Sequence, residues 1–407
     1  MNKRFFALTL FCLHLNLLQA IFPINIFKLG NCEQTTKFYK NEKSLFKITA
    51  EGTIANIGHN ASGEHVNILQ IWQADQNSLT MLRGFDASSN IGALAATLSS
   101  ASDDGVRGHV VPTAQLDAYS CNLLVKHKLP YNLVVNIALP ILSMKLSAIT
   151  WVDQTKNLTF ADQLVKTKLT NNLASTIANL DPDLNITDDW QKTGLGDLAV
   201  TMGWYKDFKQ PKPILKNVAL GLYCGLSIPT GVRKNEDLLM SIPYGNDGSV
   251  GIVFGGNIQL QWWQHLRGGI NTNFVELLGT NRQRRIKTDI DQTDLLLLAK
   301  TETRKEWGFT QQHTLYLEWF AFLNHFALRT SYNYIKHNQD KLSIFNQTFS
   351  NEIANTALSL QEWTQHSVMI TMLYEGPITA ELFYKHPFNG KSAIQSKILG
   401  ASFGFYF

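Results

Sequence analysis

Charge is what this sequence has least of. Only 17% of its 407 residues are Asp, Glu, Lys or Arg, against roughly a quarter in an average soluble domain. The formal net charge is +4, and no basic run is long enough to track a phosphate backbone, so nucleic acid is excluded as a partner. Cysteine is scarce as well. Of the four, Cys12 sits in the first segment, while Cys32, Cys121 and Cys224 form an odd set without C-x-x-C spacing. Neither a disulfide framework nor a zinc site follows. The eleven histidines are scattered without metal-ligand spacing, so no metal or other cofactor is expected. Apolar runs never reach the ~18 residues of a spanning helix. Yet 44% of the residues are hydrophobic, which excludes a disordered chain.

The catalytic constellations of membrane barrels are missing too. Barrel phospholipases carry a His-x-Ser-Asn-Gly type segment on a strand. Here His59-Asn60-Ala61-Ser62-Gly63 has the wrong spacing, and the adjacent His366 and Ser367 face opposite ways on a strand. Asp188-Asp189 with His109 does not make a protease site by sequence. The chain reads as a non-enzyme.

What is present begins with a leader. Lys3 and Arg4 precede the apolar run Phe5 to Leu13, and Leu18-Gln19-Ala20 ends on a small residue, the layout of a secretory signal peptide over 1–20. Residues 21–44 read as a periplasmic N-terminal segment. Beyond it, alternation with a period of two recurs. Val218, Leu220, Leu222, Cys224, Leu226 and Ile228 share one face, with Ala219, Gly221, Tyr223, Gly225 and Ser227 on the other. Strands are expected at 45–57, 114–127, 131–150, 195–207, 217–229, 250–263, 266–278, 311–323, 325–338, 364–374, 377–387 and 395–407. Their joins alternate between tight turns, such as Glu375-Gly376, and long loops over 151–194, 230–249, 279–310 and 339–363. Short turns at one rim and long loops at the other are the signature of a transmembrane antiparallel up-and-down β-barrel. Closure requires an even count, so twelve strands are expected, with fourteen as the alternative. That leaves 45–407 as the barrel and 58–113 as a long loop or plug insertion.

Aromatic residues fall at the expected strand ends: Trp204, Trp262, Tyr374 and Phe405 toward the short-turn rim, Trp151, Tyr334 and Tyr384 toward the other. Two loops look partly helical, 160–180 through Leu164, Val165, Leu169, Leu173 and Ile177, and 340–362 through Leu342, Ile344, Phe345, Phe349 and Ile353. If the apolar face meets lipid, then Asp197, Gln259, Gln261, Glu318, Arg329, Glu381 and Lys385 point into the lumen, because a midplane charge facing lipid costs about 2–4 kcal/mol. They line either a polar path or an interior closed by ion pairs.

The last strand carries Leu399, Ala401, Phe403, Phe405 and Phe407 on one face. It resembles the closing strand of Gram-negative outer-membrane proteins, in which terminal aromatics serve as a signal to the barrel-assembly machinery. Gly194-Leu195-Gly196-Asp197-Leu198 opens one strand, and the next ends in Ile228-Pro229-Thr230-Gly231. This pair resembles the barrel family associated with the meta pathway of phenol degradation, which is distantly similar to long-chain fatty-acid and aromatic-hydrocarbon transporters. The resemblance implies an outer-membrane channel or facilitator for small solutes, hydrophobic ones among the candidates, with outer-membrane lipid around it. The alternatives are a structural or surface-interaction barrel with a plugged lumen and, more remotely, a barrel lipase or protease.

Overall fold

A computed structural model describes residues 42–407 apart from 188, 264 and 322–324. The expected leader, nearly all of the 21–44 segment, Cys12, Cys32 and Asp188 lie outside the described residues.

Twelve strands form the wall: β1 (Ser44–Ala55), β2 (His109–Lys128), β3 (Leu133–Asp153), β4 (Leu198–Lys209), β5 (Leu215–Ile228), β6 (Gly251–Trp262), β7 (Leu266–Leu277), β8 (Thr310–Ala321), β9 (Phe326–His337), β10 (Trp363–Glu375), β11 (Ile378–Lys391) and β12 (Ile398–Tyr406). Each pairs antiparallel with its chain neighbour, and β1 pairs with both β2 and β12. At the closing seam Phe46 lies opposite Phe405 and Ile48 opposite Phe403. Closure leaves no unpaired edge in the wall, the condition for crossing lipid with strands. Twelve is therefore the count. Two further strands in the sheet, Gln76–Asn77 and Trp190–Leu195, only extend β2 and β3 at the long-loop end.

Alternation sets the two faces. On β8, Leu315, Leu317 and Trp319 are exposed on the outside, while Thr314, Tyr316, Glu318 and Phe320 are buried inside. On β5, Leu222 is 64% exposed and Ser227 only 1%. The apolar outer face ends partway up the β2–β3 hairpin, where Asp117 stands opposite Lys145 and the strands rise above the lipid zone. Rings mark both borders. Toward the long-loop rim, Phe254, Phe274 and Phe309 lie 5.2 to 6.3 Å apart, and the row continues through His313, Tyr334 and His366. Toward the short-turn rim, Phe405 meets Phe46 at 5.6 Å and Phe407 at 5.8 Å, and Phe326 meets Tyr374 at 5.1 Å. Trp151 is not among them. A bulge between Thr113 and Gln115, with Ala148 at φ 52, reverses the alternation, so Trp151 turns into the apolar clusters of the loops.

The long loops build a cover. The expected stripe over 160–180 is real: helices Phe160–Val165 and Leu173–Leu180 flank a wide turn at Lys166–Thr170. Val165, Leu169, Leu173 and Ile177 bury themselves against Met81 and Leu82 of the 58–113 segment and against Leu296. The second expected helix is mostly absent. Lys341–Ile344 is a strand that joins the hairpin Thr280–Ile286/Ala299–Glu306, and helical structure is confined to Asn351–Ala354 and a 3-10 turn at Leu358–Leu360. The free edge of that hairpin captured Leu342 and Ile344, and Asn355 clamps Leu342 through its backbone N–H and C=O at 2.8 Å each. Leu342 and Ile344 stand two residues apart, the period of a strand rather than of a helix.

Candidate functional site

Three layers lie along the barrel axis, and the residues expected in the lumen divide among them. Nearest the short-turn rim is an ionic brace. Glu318 on β8 accepts from Arg329 Nε on β9 at 2.6 Å, and its second oxygen lies 3.4 Å from Arg267 Nε on β7. Arg267 reaches on to Glu375 at 2.9 Å and stacks over the Phe320 ring at 3.9 Å. Gln259 joins through the Tyr316 hydroxyl at 3.2 Å. Side-chain exposures of 1 to 5% for Glu318, Arg329 and Arg267 show an interior filled at this level. Across the barrel, Glu381 is held by Lys47 and Ser402, each at 2.8 Å. Lys385 lies on an inward-facing position of β11, and Gln261 on one of β6 directly opposite Arg267.

Asp197 has a different place. It sits between Trp190–Leu195 and β4, where its carboxylate accepts the backbone N–H of Gly231 at 2.9 Å and of Asn246 at 2.5 Å. Thr230 Oγ1 donates to the Gly196 carbonyl and accepts from Leu198 N–H, both at 2.9 Å. The Gly194–Asp197 and Pro229–Gly231 segments thus meet in one knot that ties the 230–249 loop to the wall. The glycines are needed for close approach. A Cβ on Gly194 would come 2.5 Å from Val232, and one on Gly196 2.8 Å from the Tyr244 carbonyl. Gly245 backs directly on the carboxylate, 2.3 Å from where its Cβ would be. Gly245→Ala is therefore expected to displace Asp197 and strand two buried N–H donors, at a cost of about 1–3 kcal/mol. Faster proteolysis within 230–249, with the barrel still heat-modifiable on a gel, is the expected readout.

The middle layer is apolar. Leu124, Ala138, Ala199, Val253, Val275, Leu277, Ile335 and Trp363 close the lumen toward the long-loop rim, with Trp72 and Trp307 packed against them. Trp72 comes from the 58–113 segment, so that segment places a side chain against the inner wall. Its indole N–H, and those of Trp307 and Trp363, are buried without a hydrogen-bond partner.

Above these rings is the third layer, a cavity of about 170 Å³ lined by Trp72, Trp307, Trp363, Arg284, Asp294 and Asp340, among others. Its floor is a chain of contacts. Asp340 accepts from Lys305 at 2.7 Å and Gly308 N–H at 2.7 Å, and pairs with His337 at 2.9 Å. His337 stacks on Trp363 at 5.7 Å, and Lys305 lies over Trp307 at 3.9 Å. Burial works to raise the Asp340 carboxyl, but Lys305 and His337 outweigh it and hold it well below the carboxylate range. Among the described residues Arg284 bonds to Thr280 and Thr303 alone, and burial pushes its guanidinium down to about 10, so it stays cationic at neutral pH. Asp294 moves the other way: burial raises it, against the Ser359 N–H and Lys287. A carboxyl raised by folding stabilises the folded cover below its unfolded pKa, and that contribution fades as pH rises through the raised value. Hydrogen exchange over 287–298 should therefore quicken as pH climbs above the ordinary Asp range, beyond the intrinsic rate increase, and Asp294→Asn should flatten that excess.

Among the described residues no group of three or more His, Cys, Asp or Glu is arranged to hold a metal ion. Cys224 is a free thiol. The cavity residues were missed because they are isolated in the sequence. Only the dense Arg282-Gln283-Arg284-Arg285 run stands out there, and it signals charge rather than a site.

No protein-family model and no curated protein matches the chain. Solved structures do. The COG4313 outer membrane channel from Pseudomonas putida F1 superposes with a TM-score of 0.52 at 9% identity, covering 92% of this chain and 99% of that one. The Pseudomonas putida toluene transporter TodX gives 0.36 at 7% identity, covering 90% of each chain. The translocator domain of the autotransporter NalP from Neisseria meningitidis gives 0.34 at 8%, covering 94% and 93%. At such identities the first of these likenesses establishes the architecture, and the chain has the fold of an outer-membrane β-barrel.

Proposed function

We propose that this protein is an outer-membrane channel or facilitator for small solutes, gated at its extracellular mouth by the cover that the long loops and the 58–113 segment build. The observation that carries this reading is the cavity of about 170 Å³ between that cover and the apolar layer. A pocket seated over the lumen, walled by three indoles and aliphatic side chains together with nine charged residues, joins an apolar surface to polar groups that could orient a small molecule. Its apolar lining suits solutes with a hydrophobic body, in line with the Gly194–Asp197 and Pro229–Gly231 resemblance. Phe403, Phe405 and Phe407 face outward at the closing seam, where assembly machinery would meet them, and the leader would deliver the chain through the inner membrane.

A second reading, a closed structural barrel, draws on the brace of Glu318, Arg267 and Arg329. Planar-bilayer recording on the refolded full chain separates them. Discrete conductance steps, reduced when a small aromatic solute is added, support transport. A heat-modifiable, correctly folded protein that stays silent across the voltage range overturns it and leaves the structural barrel.

A further inference from the structure

A second cavity lies beside the first, on the outer side of the 230–249 loop, and its lining is almost wholly polar. It has a volume of about 360 Å³ and is walled by Arg233, Arg282, Arg304, Asp247, Thr280 and Asn281 together with two glycines. Three guanidiniums face one carboxylate there, a lining charge of +3 − 1 = +2.

The three arginines are held differently. Arg282 is the anchored one: it bonds to Glu236 and to the Lys234 carbonyl at 2.8 Å each, and to Asp247 at 2.5 Å. Asp247 is thereby neutralised, and it also accepts Lys234 N–H at 2.9 Å. Arg233 has no hydrogen bond or ion pair among the described residues. Its guanidinium lies on the backbone of Gly248, where a Cβ would stand 2.8 Å from Nε and 3.2 Å from Cζ. Arg304 rests on Gly279 in the same way, 3.0 Å from Nη2 and 3.2 Å from Cζ, and has only a loose contact with Glu306 at 3.4 Å. Two bare stretches of backbone thus seat two guanidinium planes, and among the described residues no carboxylate meets Arg233 or the terminal nitrogens of Arg304. Gly248 at φ +86 follows Asp247 at φ 50, so the backbone itself is bent to make this seat.

We propose that this cavity is a binding site for a phosphate-type oxyanion. A guanidinium fork matches two oxygens of such a group, and the two forks of Arg233 and Arg304 around one cavity, beside the anchored Arg282, call for an acceptor with more oxygens than a single carboxylate has. The pocket opens just above the outward Leu278 and the Phe254–Phe274 ring pair, at the level of lipid headgroups. The same chemistry could be presented by a soluble phosphate or by the phosphate of an outer-leaflet glycolipid.

The test measures binding, so it stands apart from the transport reading. The purified full chain in detergent is titrated calorimetrically with inorganic phosphate and pyrophosphate at low salt, with chloride as the comparison. In a second arm, it is mixed with vesicles containing bis-phosphorylated lipid A or its dephosphorylated form. Phosphate-dependent binding in either arm, weakened at least about tenfold in R233A/R304A and in the milder R233Q/R304Q, supports the site, and the arm that responds names the source. Phosphate bound no better than chloride in the first arm, together with no preference for phosphorylated lipid in the second, overturns it. So does binding that both variants retain. Heat-modifiable migration of each variant shows that the barrel is folded.

Discussion

Glu318→Ala should destabilise the barrel by about 3–5 kcal/mol, the cost of leaving a buried opposite charge uncompensated. The side chain is 1% exposed, and its two oxygens serve different strands, Arg329 on β9 and Arg267 on β7. Removing it leaves two guanidiniums facing each other in a filled interior. Arg267 retains Glu375 at 2.9 Å, whereas Arg329 loses the oxygen that both its Nε and its Nη2 reach. The penalty should therefore fall mainly on Arg329. A triple variant that also changes Arg329 to Leu and Arg267 to Met removes the buried charge altogether, and should recover most of the loss, since apolar replacements of buried ion networks are often neutral or stabilising. Denaturant unfolding in micelles, followed by tryptophan fluorescence, reads both effects. Equal instability of the single and triple variants would show that the brace matters for packing volume rather than charge.

Most of the wall was legible because its physics is local. A strand that meets lipid on one side must alternate, and Val218 to Ile228 does so without interruption, so β5 and its neighbours could be read at nearly their true limits. The turn asymmetry followed from the same constraint. The brace was half legible. Glu318 and Arg329 could be assigned inward, but their pairing with Arg267 depends on the register of β7 against β8, where Arg267 lies opposite Glu318. Nothing in the spacing of 267 and 318 reveals it. Asp197 was expected to face the lumen from a 195–207 strand, yet it lies just before β4, and its partners, Gly231 and Asn246, come from a loop that returns to it only in three dimensions. The cover was least legible. Its strands are short, its cores are assembled from Met81, Val165, Ile177 and Leu296 across more than 200 residues, and such non-local packing leaves no period to read. Trp151 shows the limit in one residue: a bulge reverses its side, and no sequence pattern marks the bulge.

Trp72 gives the sharpest test of the proposed gate. It stands between the apolar layer and both compartments of the cover's interior, lining the cavity of about 170 Å³ and the adjoining one near Leu69 and Leu239. Its N–H is buried without a partner, a cost of about 1–3 kcal/mol to the closed arrangement. Two substitutions therefore pull in opposite directions. Trp72→Phe keeps a ring against the apolar layer while deleting the stranded donor, so the closed state should be held more firmly, with longer closed dwell times in planar-bilayer records. Trp72→Ala removes the ring and should cost about 3–5 kcal/mol of packing, the usual range for a buried aromatic. That loss falls on the contact between the 58–113 segment and the wall, since the wall strands keep their own ladders. The channel should then open more often and pass larger solutes in liposome-swelling assays, while the melting of the barrel in detergent changes little. Unchanged conductance in both variants would mean that the segment is a fixed cap and that solutes, if they cross, use another route.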